Sequence, residues 1–140
     1  MLDCLILGDS LAVGIGQIRK ECVTHAKVGI NSYDYVNHYV INNPGNTAAK
    51  TVIISLGSND FKNINTFEEL DTLRQLVKAD RVYWIVPAVK KDRQEAVWAV
   101  ANKYRDNVIN SQNHEIGPDG VHPTNKGYKS IANQTQGGKL

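Results

Sequence analysis

Three short, almost wholly apolar runs, each cut off by a glycine or a proline, constrain this chain more than any other feature. Leu5-Ile6-Leu7 stops at Gly8, Thr51 to Leu56 stops at Gly57, and Arg81 to Val86 stops at Pro87. Runs of this length without polar alternation fit strands buried on both faces, the pattern of a parallel sheet covered by helices on either side. Two weaker stretches, Cys22 to Val28 and Asp106 to Asn110, read as further strands.

Helical patterns separate them. Thr66-Phe67-Glu68-Glu69 reads as a capping box, with Thr66 as N-cap and Glu69 returning the bond, ahead of Leu70, Leu73, Leu76 and Val77 on one face. Val97, Val100, Ala101 and Tyr104 make a second stripe. Val36, Tyr39 and Val40 make a third after Ser32, with Asn42-Asn43-Pro44-Gly45 as its stop. Residues 11–20 and 124–135 complete the set. Alternation of this kind predicts an α/β domain, a three-layer α/β/α arrangement around a five-stranded parallel sheet. The commonest small version has the flavodoxin-like order 2-1-3-4-5, in which strands 1 and 3 are neighbours and their carboxyl ends meet at the topological switch point.

At 140 residues the chain fits one domain, read as 1–136 with a frayed polar tail at 137–140. It can fold without metals or disulfides. A net charge of +2, with both signs interleaved, argues against nucleic acid or an anionic membrane as a partner. The N-terminal stretch lacks a basic region, no segment approaches the ~20 apolar residues of a membrane span, and the default expectation is a cytoplasmic protein. Cys4 and Cys22 form no C-x-x-C pattern and read as two buried, reduced thiols in neighbouring strands. Trp84 and Trp98 read as core or helix-packing residues, His25 and His38 as strand and helix-surface residues.

Unusual loops sit where these elements end: Gly8-Asp9-Ser10-Leu11 after strand 1, Gly57-Ser58-Asn59-Asp60 after strand 3, and Asp119-Gly120-Val121-His122-Pro123 before the last helix. Strand order brings the first two together. The segment from Asn110 to His122 can span about 40 Å, more than the roughly 15 Å from strand 5 back to strand 1. A serine hydroxyl needs a base to become a nucleophile, and an imidazole titrates in the right range. Ser10 is therefore the candidate nucleophile and His122 the candidate base, with Asp119 on a glycine-containing turn able to hold the ring. Asn59 offers a side-chain amide, and Ser10 and Gly29 their backbone N–H groups, to a developing oxyanion. Asp60 reads as a brace for its loop. Pro87, Ala88 and Val89 follow strand 4 and are candidates to line an acyl pocket, with a plain loop equally open.

These blocks resemble the SGNH (GDSL-like) hydrolases. Gly8-Asp9-Ser10-Leu11 matches that family's first block, Gly29 stands where its second-block glycine falls, Gly57-Ser58-Asn59-Asp60 matches G-x-N-D, and Asp119 to Pro123 matches D-x-x-H-P. The resemblance implies the flavodoxin-like fold and hydrolysis of acyl esters through an acyl-serine. It assigns Ser10, His122 and Asp119 as triad, and Ser10, Gly29 and Asn59 as oxyanion hole, with no metal and no organic cofactor. The chain's brief loops favour an open site, short acyl groups such as acetyl, and a small-molecule or carbohydrate ester as substrate. The other readings are a lysophospholipase or thioesterase, which needs a longer apolar trough, and a non-catalytic carbohydrate- or partner-binding domain. A metal site at His114, Glu115, Asp119 and His122 matches no standard ligand spacing. Gly14-Ile15-Gly16 is no dinucleotide fingerprint, although a flavin or nucleotide at the switch point remains open.

Overall fold

The strand β1 (Leu2–Gly8) lies inside a five-stranded parallel sheet, between β2 (Val23–Ala26) and β3 (Ala49–Ser55), with β4 (Arg81–Val86) and β5 (Asn107–Asn110) continuing the sheet in the expected order 2-1-3-4-5. The computed structural model describes residues 1–43 and 45–136. The tail at 137–140 and, within the expected helix stop Asn42 to Gly45, residue Pro44 therefore lie outside the described residues; the helix ends at Val40, just ahead of that cluster.

Period-2 alternation along the strands sorts the core into two layers. Leu5, Leu7, Val52, Ile54 and Trp84 face one side, where α3 (Thr66–Leu76) and α4 (Lys91–Tyr104) deliver Leu70, Leu73, Val97, Val100 and Ala101. Cys4, Ile6, Ile53, Ile85 and Ile109 face the other, under Leu11 and Ile15 of α1 (Ser10–Ile18) and Ile131 of α5 (Asn125–Gln134). Edge strand β2 stays partly exposed, which is why its sequence signal is weak. Trp84 is in the core as expected, but Trp98 is 42% exposed on α4.

Two helix starts differ from expectation. Thr66 is the first residue of α3, and Asn65 is the N-cap, its side chain accepting from the Glu68 N–H at 3.1 Å. The Thr66 hydroxyl instead donates to the buried Asp60 carboxylate at 2.6 Å, a charge-assisted bond stronger than a neutral cap. Glu69 accepts from Asn37 across the helix pair rather than closing a capping box. The third stripe begins as a single turn, α2 (Ser32–Asp34), and widens into a π-helix over Tyr35–Val40. That winding buries Tyr35 together with Val36 and Val40, and leaves Tyr39 stacked on Tyr35 at 5.0 Å.

The cysteines are not reduced thiols: Cys4 and Cys22 form a disulfide, with Cα atoms 4.8 Å apart. The cause is register. Leu5 pairs with Val23, so the residues just before them lie side by side under α1. Pairs of this kind persist in oxidising compartments. Opening the loop between them by reduction, or by the double change Cys4→Ala, Cys22→Ala, is expected to lower stability by about 3 kcal/mol. The check is the urea midpoint with and without dithiothreitol; an unchanged midpoint would rule the bond out as a stabilising element.

Glycines set the close approaches. A Cβ on Gly14 would sit 2.3 Å from the Tyr128 ring of α5, so this residue lets α1 and α5 pack. Gly8 has φ +137°, and a Cβ there would fall 1.9 Å from the Ser55 carbonyl oxygen. Only glycine lets β1 end against β3 and turn into α1.

Candidate active site

The end of β1 is joined to the end of β3 ahead of any candidate side chain. Gly8 pairs with Ser55 in register, and the Asp9 N–H donates to the Ser55 carbonyl at 2.9 Å. Asp9 caps α1, its carboxylate accepting from the Leu11 N–H at 3.1 Å and from the Ser55 hydroxyl at 3.0 Å. Ser10 is then the first helical residue, half-buried, with its N–H among the first-turn donors that a helix leaves unclaimed. Asp9 itself is wholly buried, and burial pushes its carboxyl up to about 7, against the lowering by its hydrogen bonds. Its second oxygen, Oδ2, has no partner among the described residues.

The last loop reaches the site as a short return. Ile116 and Pro123 form an antiparallel bridge, and the Gly117 N–H donates to the His122 carbonyl at 2.8 Å. At its base His114 is held to α5 by Ser130 at 2.5 Å and Gln134 at 2.9 Å. His122 thereby reaches Ser10: its Nε2 lies 2.8 Å from the serine Oγ, and its Nδ1 lies 2.6 Å from Asp119 Oδ2. The other Asp119 oxygen accepts from the Val121 and His122 N–H groups, both at 2.9 Å. These bonds, the one to the His122 ring foremost, hold the Asp119 carboxyl down at about 2. The carboxylate therefore stays ionised throughout the working range of an imidazole and favours the tautomer with hydrogen on Nδ1 and a lone pair on Nε2 facing the serine. Both His122 and Asp119 are exposed, so the pair is open to solvent.

Asn59 lies on the loop after β3, its Nδ2 donating to the Ile30 carbonyl at 3.0 Å. One hydrogen of that amide is spent and one remains. Gly29 occupies the third position of the turn Lys27–Ile30, closed by the Ile30 N–H to the Lys27 carbonyl at 3.3 Å, with φ +81°. A side chain there would meet nothing within 4 Å, so the demand for glycine is conformational. Asp60 braces this seam as expected: buried, it accepts from the Ser32 N–H at 2.7 Å and from the Thr66 hydroxyl.

Several supporting residues carry no sequence signal. Lys90 donates to the Ser58 carbonyl at 2.9 Å and Arg93 to the Asp60 carbonyl at 2.8 Å, so two cations from the start of α4 grip the loop on either side of Asn59. Lys90 does this from a left-handed backbone, φ +67°, a conformation costly for a residue with a side chain. Pro87 and Ala88 are buried, their carbonyls accepting from Gln94 and Gln112, and Val89 is partly exposed. Among the described residues no cluster of three or more metal-ligating side chains forms, and no helix is long and apolar enough to cross a membrane.

The sequence matches no protein-family model, and no curated protein matches it. Its fold, in contrast, is shared by many solved structures. A Bacteroides fragilis protein provisionally described as an acylhydrolase superposes with a TM-score of 0.70 at 18% identity, over 98% of this chain and 86% of that one. The catalytic domain of a Streptococcus pneumoniae peptidoglycan O-acetyltransferase, solved with a methylsulfonyl adduct, gives 0.64 at 19% identity, over 97% and 90%. A Sinorhizobium meliloti carbohydrate acetylesterase gives 0.61 at 13% identity, over 98% and 99%. The chain has the three-layer fold that these proteins share.

Proposed function

We propose that this chain is an SGNH-type serine hydrolase that cleaves short-chain acyl esters, acetyl foremost, through an acyl-Ser10 intermediate. The observation that carries the reading is the chain of contacts Ser10 Oγ–His122 Nε2–Asp119, at 2.8 and 2.6 Å. His122 Nε2 takes the hydroxyl proton as Ser10 Oγ bonds to the acyl carbon. The oxyanion that forms is met by the Ser10 and Gly29 N–H groups and the remaining Asn59 amide hydrogen. Collapse breaks the bond to the alcohol oxygen, which leaves with the proton from His122. Water then repeats the sequence, losing its proton to His122 and releasing the acid and free Ser10. Asp119 stays ionised and stabilises the imidazolium. No metal or organic cofactor is needed for these steps.

The exposure of the His122–Asp119 pair supports an open site reached by an ester on a small molecule or a carbohydrate. Val89, with Pro87 and Ala88 behind it, is the proposed edge of the acyl side. The test is turnover of p-nitrophenyl acetate against p-nitrophenyl octanoate, together with mass spectrometry after exposure to a sulfonyl fluoride. Acetate is the preferred ester, and the adduct falls on the peptide containing Ser10. Folded protein that neither turns over nor labels would refute the reading.

A further inference from the structure

The segments that follow Gly29 and Asn59 help line a groove of about 470 Å³, and two exposed aromatic side chains, Tyr33 and Phe61, are part of that lining. Tyr33 is 48% exposed and Phe61 65% exposed. Neither ring belongs to the core clusters; Tyr33 makes one edge contact with the His38 ring at 6.2 Å. Aromatic rings that share a concavity with a few polar groups are the usual lining of a ligand site.

The groove's position ties it to the catalytic seam. Asn59 bonds to Ile30, and Asp60 to Ser32, so the two segments run side by side. Phe61 is two residues beyond Asn59, within about 7 Å along the chain. Asn31, also lining the groove, is two residues beyond Gly29. A substrate whose acyl carbonyl faces Asn59 and Gly29 therefore has two groove residues, Phe61 and Asn31, each two positions from a group that holds it.

Chemistry selects the occupant. In the same lining, the Asn63 amide and the Glu68 carboxylate have no protein partner among the described residues, and Asp34 and Glu69 add two further carboxylates. No lysine or arginine lines the groove. Aromatic faces with free amide and carboxylate groups suit a ring that is apolar on its faces and carries hydroxyls or an amine at its edge. The same carboxylates repel phosphate and uronate.

Resting on the esterase reading above, we propose that the groove lined by Tyr33 and Phe61 seats a neutral or amine-bearing sugar ring of an O-acylated saccharide. Both rings are exposed, so Tyr33→Ala and Phe61→Ala leave the fold intact. Each raises KM for acetylated chitobiose or cellobiose about tenfold while leaving kcat/KM for p-nitrophenyl acetate within about twofold. A parallel titration needs no turnover: Ser10→Ala protein with chitotetraose, cellotetraose and tetragalacturonate, followed by NMR. Saturable shifts at Tyr33 and Phe61 with the first two, and weaker binding of the third, are the expected result. Equal losses on both esters, no saturable shift with any saccharide, or tightest binding of the uronate each overturn the proposal. If the wild type cleaves no ester but the titration saturates, the esterase reading falls and the saccharide groove stands.

Discussion

Ser10→Ala is expected to cut kcat/KM for p-nitrophenyl acetate by about 10⁴-fold, with the thermal unfolding midpoint nearly unchanged. The loss corresponds to about 5.5 kcal/mol of transition-state stabilisation. The Ser10 side chain touches His122 and is otherwise placed by its position at the start of α1, so deleting its oxygen disturbs little of the fold. His122→Ala is expected to cost a similar factor, because the hydroxyl 2.8 Å away then has no base. The double change is expected to cost no more than either alone, since the two act as one unit. Asp119→Asn is expected to cost less than either, because the exposed His122 ring can be hydrated where the carboxylate was. Steady-state kinetics on these variants decide the matter. Multiplying losses in the double variant would show that Ser10 and His122 do not act together.

Asp9→Asn is expected to stabilise the protein at pH 8 and to remove a pH dependence that runs opposite to ordinary acid denaturation. The folded-state pKa of Asp9 is about 7, raised by burial from the ordinary 3.8. Between pH 4 and 7 the unfolded chain releases this proton while the folded chain retains it. The folded state therefore binds more protons across that window, and stability falls as pH rises through it. Above pH 7 the full cost, of order 4 kcal/mol, is present. Asparagine has the same shape, keeps an oxygen for the Leu11 N–H and the Ser55 hydroxyl, and does not titrate. Urea unfolding followed by the fluorescence of buried Trp84 gives the comparison. The difference in stability between variant and wild type should grow from pH 4 to pH 7 and then level off. A difference independent of pH would show that Asp9 is ionised in the folded protein.

Ser10 and Asp9 are adjacent in the chain and opposite in legibility. The role proposed for Ser10 is readable from the chain, because nucleophile, amide and imidazole each follow a recognisable strand or turn. Asp9 occupies the same tetrapeptide, yet its burial depends on Ser55 of β3, a residue 46 positions away. The same contrast runs through the supporting shell. Asp60 is legible as a brace because it closes a turn motif. Lys90 and Arg93 look like surface cations until α4 is placed beside the loop they grip.

Alternation of short apolar runs with helical stripes determined the layers and the elements that carry Ser10, Asn59 and His122, because burial on two faces leaves a direct imprint on residue type, and the strand order followed as the commonest arrangement of those elements. What only the tertiary structure decided are the matters of register and competition between partners. The pairing of Leu5 with Val23 puts Cys4 against Cys22 and makes a disulfide where two thiols were expected. The carboxylate of Asp60 draws the Thr66 hydroxyl away from its cap. The stitching of Ile30 and Ser32 to Asn59 and Asp60 sets the two segments side by side and puts Tyr33 and Phe61 in the lining of one groove. None of these leaves a local trace, because each is settled by which distant group arrives at bonding distance. The element that carries a side chain is written in its neighbours along the chain, and the partner it meets is not.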